Sequence, residues 1–135
     1  MSVPSEPSRT GWPTRLLAAV TLGYAALLAC ATHYPRPQDL LPRNPPSDKV
    51  LHLCAYAVLA TLAAATLAAA GRRSLRVLLV AAAVLAAFGA LDEVTQPWCG
   101  RAAEPLDWLA DLAGIAVGSG AGALLAAGVR LLRRA

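Results

Sequence analysis

The sequence predicts an all-α integral membrane protein, a bundle of four transmembrane helices joined by short loops. Hydrophobic residues make up 57% of the 135 residues and charged residues only 15%, whereas soluble domains carry about 25% charged residues. The apolar residues come in blocks rather than alternating with polar ones, and the mean hydropathy is +0.53. Each block approaches the ~20 residues that are needed to cross a hydrocarbon core of ~30 Å.

Prolines and glycines predict where the helices begin and end. Residues 1–14 contain three prolines and are expected to form a disordered tail ahead of a transmembrane domain over residues 15–135. Five prolines within residues 35–47 predict an irregular loop. Pro97 stops the third helix, and Pro105 suits the first turn of the fourth. The predicted helices are 15–34, 48–70, 75–96 and 105–132.

The first apolar segment has a second interpretation. Basic residues precede a short apolar stretch that ends in Ala29-Cys30-Ala31, and this arrangement resembles a signal peptide with its small-residue cleavage site. The residues from Leu27 to Cys30 also resemble a lipoprotein cleavage box. Removal of this segment would leave three helices in the same orientation.

The basic residues lie at the ends of the apolar blocks and predict an orientation. With both termini in the cytoplasm, eight of the twelve lysines and arginines fall on the inner side and four on the outer side, as the positive-inside rule requires. We therefore expect a multi-pass protein of the plasma membrane in contact with membrane lipid. No patch of basic and aromatic residues occurs, so nucleic acid is not an expected partner.

Polar and charged residues gather near the predicted outer ends of the second, third and fourth helices. Several are four residues apart and therefore share one face of their helix. Ionisable side chains at membrane depth cost about 2.5–3.5 kcal/mol each, so they are expected to face one another or water rather than lipid. The predicted binding residues are Asp48, Lys49, His52, Asp92, Glu93, Gln96, Arg101, Asp107 and Asp111.

Simpler explanations exist for part of this set. Asp48 and Asp107 are predicted in the first turn of a helix, where an acid interacts favourably with the helix dipole. Arg101 could form a salt bridge within a loop. Asp92 and Glu93 are harder to explain in this way, because a helix C-terminus favours bases rather than acids.

A stripe of small residues continues the face of the fourth helix below Asp107 and Asp111. Gly114, Gly118 and Gly122 recur every four residues, a spacing that permits close helix crossing in membranes. The stripe predicts that both aspartates point toward another helix.

Together these motifs resemble the VanZ-like membrane proteins, whose namesake confers low-level resistance to the glycopeptide teicoplanin. The resemblance covers about residues 48–118 and rests on Asp48-Lys49-x-x-His52, Asp92-Glu93-x-x-Gln96, Arg101 and the spaced aspartates and glycines of the fourth helix. Asp111 departs from it, since the family often has asparagine there. The resemblance implies a cell-envelope protein rather than a particular reaction.

Three functions are compatible with these residues. The first is a non-enzymatic protein whose acidic outer site binds an amphiphile, such as a lipid-linked wall precursor, a lipid head group or a glycopeptide. With five acids and two bases the site has a net charge of −3, which favours an amine-bearing ligand or a divalent cation over a bare phosphate.

The second function is a metal-assisted hydrolase or transferase acting on a lipid-linked substrate, with His52 as acid–base and Asp92 and Glu93 holding the metal. The third is a structural or assembly role without a ligand. The three cysteines lack the spacing of a zinc site, and neither a cofactor nor a resident metal is predicted.

Overall fold

The computed structural model describes residues 11–36, 39 and 41–132. It confirms an all-α architecture with four helices that are long and apolar enough to span a membrane, and no strand occurs among these residues. Most of the predicted tail, residues 1–10, lies outside them. The helices are α1 (Trp12–Thr32), α2 (Asp48–Ala69), α3 (Leu75–Thr95) and α4 (Pro105–Leu132), with a 3-10 turn (Gln96–Cys99) after α3.

Local sequence explains where the helices end. The first helix begins at Trp12, ahead of the predicted residue 15, because Pro13 lies in its first turn, where a missing N–H costs nothing. The hydroxyl of Ser74 caps α3 by accepting a hydrogen bond from the Val77 N–H. Gly100 ends the 3-10 turn with φ at 78°, a left-handed conformation that suits glycine.

The outward surface of the bundle is apolar. Leu22, Val84 and Leu124, from α1, α3 and α4, are each more than 60% exposed, and many other leucines and valines face outward in the same way. A soluble protein rarely exposes a contiguous apolar surface of this extent, whereas lipid solvates it. The chain is therefore a multi-pass membrane protein.

The second helix lies at the centre of the bundle. It forms its most extensive contact with α4 and also packs against α1, while α3 packs mainly against α4. Tyr56, Leu59 and Ala60 of α2 are buried against Ile115 of α4. The Tyr24 hydroxyl connects α1 to α2 by donating a hydrogen bond to the Ala55 carbonyl.

Glycine brings the backbones of α2 and α4 together. A Cβ atom added at Gly114 or Gly118 would collide with the carbonyl oxygens of Leu53 and Ala57 respectively, and one added at Gly122 would lie 2.6 Å from the Ala64 Cβ. These contacts follow the same chain direction in both helices, so α2 and α4 run parallel and their N-terminal turns lie side by side at one end of the bundle. The end of the bundle where α2 and α4 begin and α1 and α3 terminate is called the polar end below.

Candidate functional site

Three buried side chains from three helices meet at the centre of the polar end. The Nδ1 atom of His52, on α2, lies 2.9 Å from Oδ1 of Asp111 on α4 and 3.9 Å from Oε1 of Glu93 on α3. All three residues are at most 5% exposed. We call His52, Glu93 and Asp111 the buried triad.

The Glu93 carboxylate is held at both oxygens. The side-chain amide of Gln96 donates to Oε1 at 3.1 Å, and the backbone N–H of Glu104 donates to Oε2 at 3.1 Å. The first contact spans one helical turn, and the second ties the start of α4 to the end of α3. The carboxylate therefore has little freedom to turn away from His52.

Two cationic side chains at the polar end, Lys49 and Arg101, are hydrogen-bonded to acids outside the triad. Lys49 donates to Oε2 of Glu104 at 2.8 Å and to Oδ1 of Asp107 at 3.1 Å. Its ammonium lowers the pKa of the exposed Glu104 carboxyl. Arg101 donates from Nη2 to Asp48 at 3.2 Å, so each basic side chain is paired with acid.

A second polar cluster joins the C-terminal ends of α1 and α3. The Thr32 hydroxyl donates to Oδ1 of Asp92 at 2.8 Å, and Nδ1 of His33 lies 3.3 Å from the same oxygen. The other ring nitrogen of His33 lies 2.8 Å from the Thr95 hydroxyl. Arg101 connects this cluster to Asp48, because its Nη1 donates to the Thr32 carbonyl at 2.7 Å.

The nine predicted residues all lie at the polar end, and eight of them form pairs or larger groups with one another. Asp92 is the exception. Within the described part of the chain, its carboxylate contacts Thr32 and His33 and none of the other eight predicted residues. Sequence reasoning missed four participants, which are Thr32, His33, Thr95 and Glu104. The only available signal was that these polar residues stand beside the ends of apolar segments.

A cavity of about 230 Å³ opens beside the triad between α1, α2 and the α1–α2 loop. Its walls are mostly apolar, and its polar lining comes from Asp48, His52, Arg101 and Thr32. The apolar lining residues are Leu28, Ala31, Leu41, Leu51 and Ala55. The cavity therefore combines an apolar wall with one charged end.

Three buried polar atoms at the polar end have no hydrogen-bond partner in the described part of the chain: the Tyr56 hydroxyl, Oδ2 of Asp92 and Oδ2 of Asp111. The Tyr56 hydroxyl and Asp111 Oδ2 lie against the same side of Gly89, where an added Cβ would be 3.3 and 3.0 Å from them. Unpaired buried polar groups are costly, so these atoms mark where an additional proton, water or ligand would be stabilising.

The charges of the polar end do not balance locally. Asp48, Glu104 and Asp107 each lie within 3.2 Å of a lysine or arginine nitrogen. Asp92, Glu93 and Asp111 are buried, and histidine is the only basic residue within 4.0 Å of them among the described residues. The excess of negative charge is therefore greatest at the most buried positions.

No protein-family model, curated protein or solved structure matches this chain.

Proposed function

We propose that this chain is a VanZ-like protein of the plasma membrane that binds the head group of an amphiphile at its polar end without chemical conversion. The cavity beside α1 carries the proposal. Its apolar wall suits an acyl or other hydrocarbon segment, and Asp48, Arg101 and His52 stand where a head group would lie. Small-molecule sites are commonly apolar clefts with a few convergent polar groups.

Charge favours an amphiphile that carries an amine. The six carboxylates and two basic side chains that interact at the polar end have a formal charge of −4 with the histidines neutral, and Arg36, Asp39 and Arg43 of the α1–α2 loop bring the charge of the whole end to −3. Such an excess attracts a primary amine and disfavours a bare phosphate. Because Arg101 is also present, a zwitterionic head group with both an amine and an anionic part is compatible with the same cavity.

The VanZ resemblance supports a role in the cell envelope. The motifs that carry it, including Asp48-Lys49-x-x-His52 and Asp92-Glu93-x-x-Gln96, supply most of the side chains at the polar end. With the cytoplasmic termini favoured by the basic residues, this end would face the outside of the cell. A lipid-linked wall precursor, a lipid head group and a lipoglycopeptide are all amphiphiles that would reach it from there.

A binding experiment with three probes tests the proposal. The full chain in nanodiscs is titrated with phosphatidylethanolamine, with phosphatidylglycerol and with teicoplanin, and bound molecules are detected by native mass spectrometry. We expect retention of an amine-bearing probe and weaker retention of phosphatidylglycerol. Equal retention of all three, or of none, would refute a head-group site selected by charge.

A pair of matched variants locates the site. Ala31→Leu places a larger side chain in the cavity wall, whereas Ala26→Leu makes the same change at an exposed position of α1 that does not line the cavity. We expect Ala31→Leu to reduce binding and Ala26→Leu to leave it unchanged. An equal effect of both variants would place binding elsewhere.

A host assay separates a functional site from a structural one. Glu93→Gln and His52→Ala are compared with the unaltered chain for membrane abundance, thermal stability and teicoplanin susceptibility of the host. We expect a folded Glu93→Gln protein with a lost phenotype. A variant that loses stability without a separate loss of phenotype would favour a structural role for the polar residues.

A further inference from the structure

We propose that the buried triad of His52, Glu93 and Asp111 binds one divalent transition-metal cation of the Zn²⁺ type. The inference goes beyond head-group binding and does not depend on it. It rests on three observations: the positions of the ligand atoms, the uncompensated buried charge and the unpaired polar atoms beside the triad.

The ligand atoms are close to the separations that a metal requires. One atom from each of the three side chains lies within 4.8 Å of the other two. Nitrogen and oxygen ligands about 2.0–2.1 Å from a tetrahedral ion are roughly 3.4 Å apart. The observed distances from His52 Nδ1, 2.9 and 3.9 Å, lie on either side of that value. The ligand atoms of Glu93 and Asp111 lie within 4.8 Å of each other, so they would have to approach by at most about 1.4 Å to reach it.

The two buried carboxylates of the triad favour a cation over a neutral ligand. Glu93 and Asp111 place two carboxylates in a region that neither lysine nor arginine approaches among the described residues. A buried carboxylate that lacks a cationic partner is strongly destabilised, and it is relieved either by taking up a proton or by binding a cation. One divalent ion would neutralise both carboxylates while His52 binds it in its neutral form.

The surroundings of the triad resemble the second layer of a metal site. Ligating carboxylates in proteins are commonly hydrogen-bonded on their outer side, and Glu93 is held in this way by Gln96 and by the Glu104 N–H. The Tyr56 hydroxyl is fully buried, has no partner among the described residues and lies beside the unpaired Oδ2 of Asp111. It is positioned to donate to a metal-bound carboxylate or to contact a fourth ligand.

The donor set indicates the class of ion. One imidazole nitrogen with two carboxylate oxygens suits Zn²⁺ and its neighbours in the transition series, whereas Mg²⁺ and Ca²⁺ prefer oxygen ligands alone and larger coordination numbers. Three protein ligands leave one tetrahedral position open, as in zinc sites that bind water or substrate. Of the three ligands, His52 also lines the cavity, so the metal site and the cavity share one side chain.

The unaltered full chain in detergent provides the first test. After removal of metal with a chelator and re-addition of Zn²⁺, we expect one Zn²⁺ per chain by mass spectrometry of the eluted metal, a higher Tm and no competition from Mg²⁺. Co²⁺ should give the visible absorption of a four-coordinate ion and be displaced by Zn²⁺. Absence of retained Zn²⁺, or a Co²⁺ spectrum of six-coordinate form, would overturn the proposal.

Three variants and one control test the assignment of ligands. Glu93→Gln and Asp111→Asn retain side-chain size, and each should weaken Zn²⁺ binding at least about 100-fold, while Tyr56→Phe should weaken it roughly 10-fold. Glu104→Gln is the control, since its exposed side chain faces Lys49 and only its backbone contacts the triad. Unchanged affinity in both ligand variants would overturn the proposal; if either fails to fold, the Co²⁺ spectrum of the unaltered chain decides.

Discussion

The close contact between α2 and α4 gives a quantitative prediction for Gly118→Ala. The new Cβ would overlap the Ala57 carbonyl oxygen and lie 2.8 Å from its carbon. Restoring an ordinary contact of 3.4 Å requires the backbones to separate by at least roughly 0.6 Å. The contact atom belongs to a helix backbone, so a change of rotamer cannot relieve the collision.

The expected loss of stability follows from three contributions. Overpacking of this kind costs about 1–3 kcal/mol, and weakening the hydrogen bond from the Thr61 hydroxyl to the Gly118 carbonyl adds ~0.6 kcal/mol, typical of membrane helices. The higher helix propensity of alanine offsets up to ~1 kcal/mol. With the full offset, we therefore expect Gly118→Ala to lower the free energy of unfolding by about 0.6–2.6 kcal/mol.

Gly120→Ala is the matched control for this experiment. It lies on the same helix, and an added Cβ there meets nothing within 4 Å, so the substitution should be neutral or slightly stabilising. Both variants are unfolded by titration with sodium dodecyl sulfate and followed by circular dichroism. Equal stability of Gly118→Ala and Gly120→Ala would refute the close approach of α2 and α4 at this position.

Three other features lead to measurable expectations. Thr32→Val removes the hydroxyl that donates to buried Asp92 and should cost about 1–3 kcal/mol in thermal unfolding. Lys49 lowers the pKa of Glu104 below its ordinary value of 4.5, so this pair stabilises the fold above that pH and less as the pH falls through the lowered pKa. The Tm difference between the unaltered chain and Glu104→Gln should therefore shrink as the pH is lowered through the pKa of Glu104. A reporter fused after Ala135 should report the cytoplasm.

One outcome in each of these three experiments would contradict the proposed contact or orientation. For Thr32, the variant Thr32→Ser keeps the hydroxyl and serves as control, and equal stability of the serine and valine variants would refute the importance of the bond to Asp92. A Glu104→Gln difference that stays constant well below pH 4.5 would show that the charge pair does not contribute. An external signal from the C-terminal reporter would reverse the proposed orientation.

Sequence periodicity predicted the architecture because it reports directly on lipid exposure and helix packing. The apolar blocks gave all four helices, and the recurrence of Gly114, Gly118 and Gly122 predicted a face of α4 that approaches another helix. Asp111 falls on that face because it lies one helical turn, three residues, before Gly114, and in the structure it is fully buried and contacts His52 of α2.

The partners within the polar end were less accessible to sequence reasoning, because helical spacing describes one helix at a time. His33 and Glu104 stand just outside the apolar segments, and their contacts with Thr95 and Lys49 depend on how loops bring separate helices together. The triad takes one residue from each of three helices, so its ligands show no compact spacing along the chain. The cavity is likewise formed between α1 and α2 and has no signature in either segment alone.

His52 connects the two proposals, since it lines the cavity and belongs to the buried triad. If both ligands bind, their affinities must be coupled, and the coupling is the same whichever ligand is added first. An amine beside Asp48 and a divalent cation bound to the triad would repel each other, so each would weaken the binding of the other. An anionic head group would instead complete the coordination of the cation, and each would strengthen the other. Measuring teicoplanin or phospholipid binding with and without Zn²⁺ therefore distinguishes the two head-group chemistries, and binding that is unaffected by Zn²⁺ would separate the cavity from the triad.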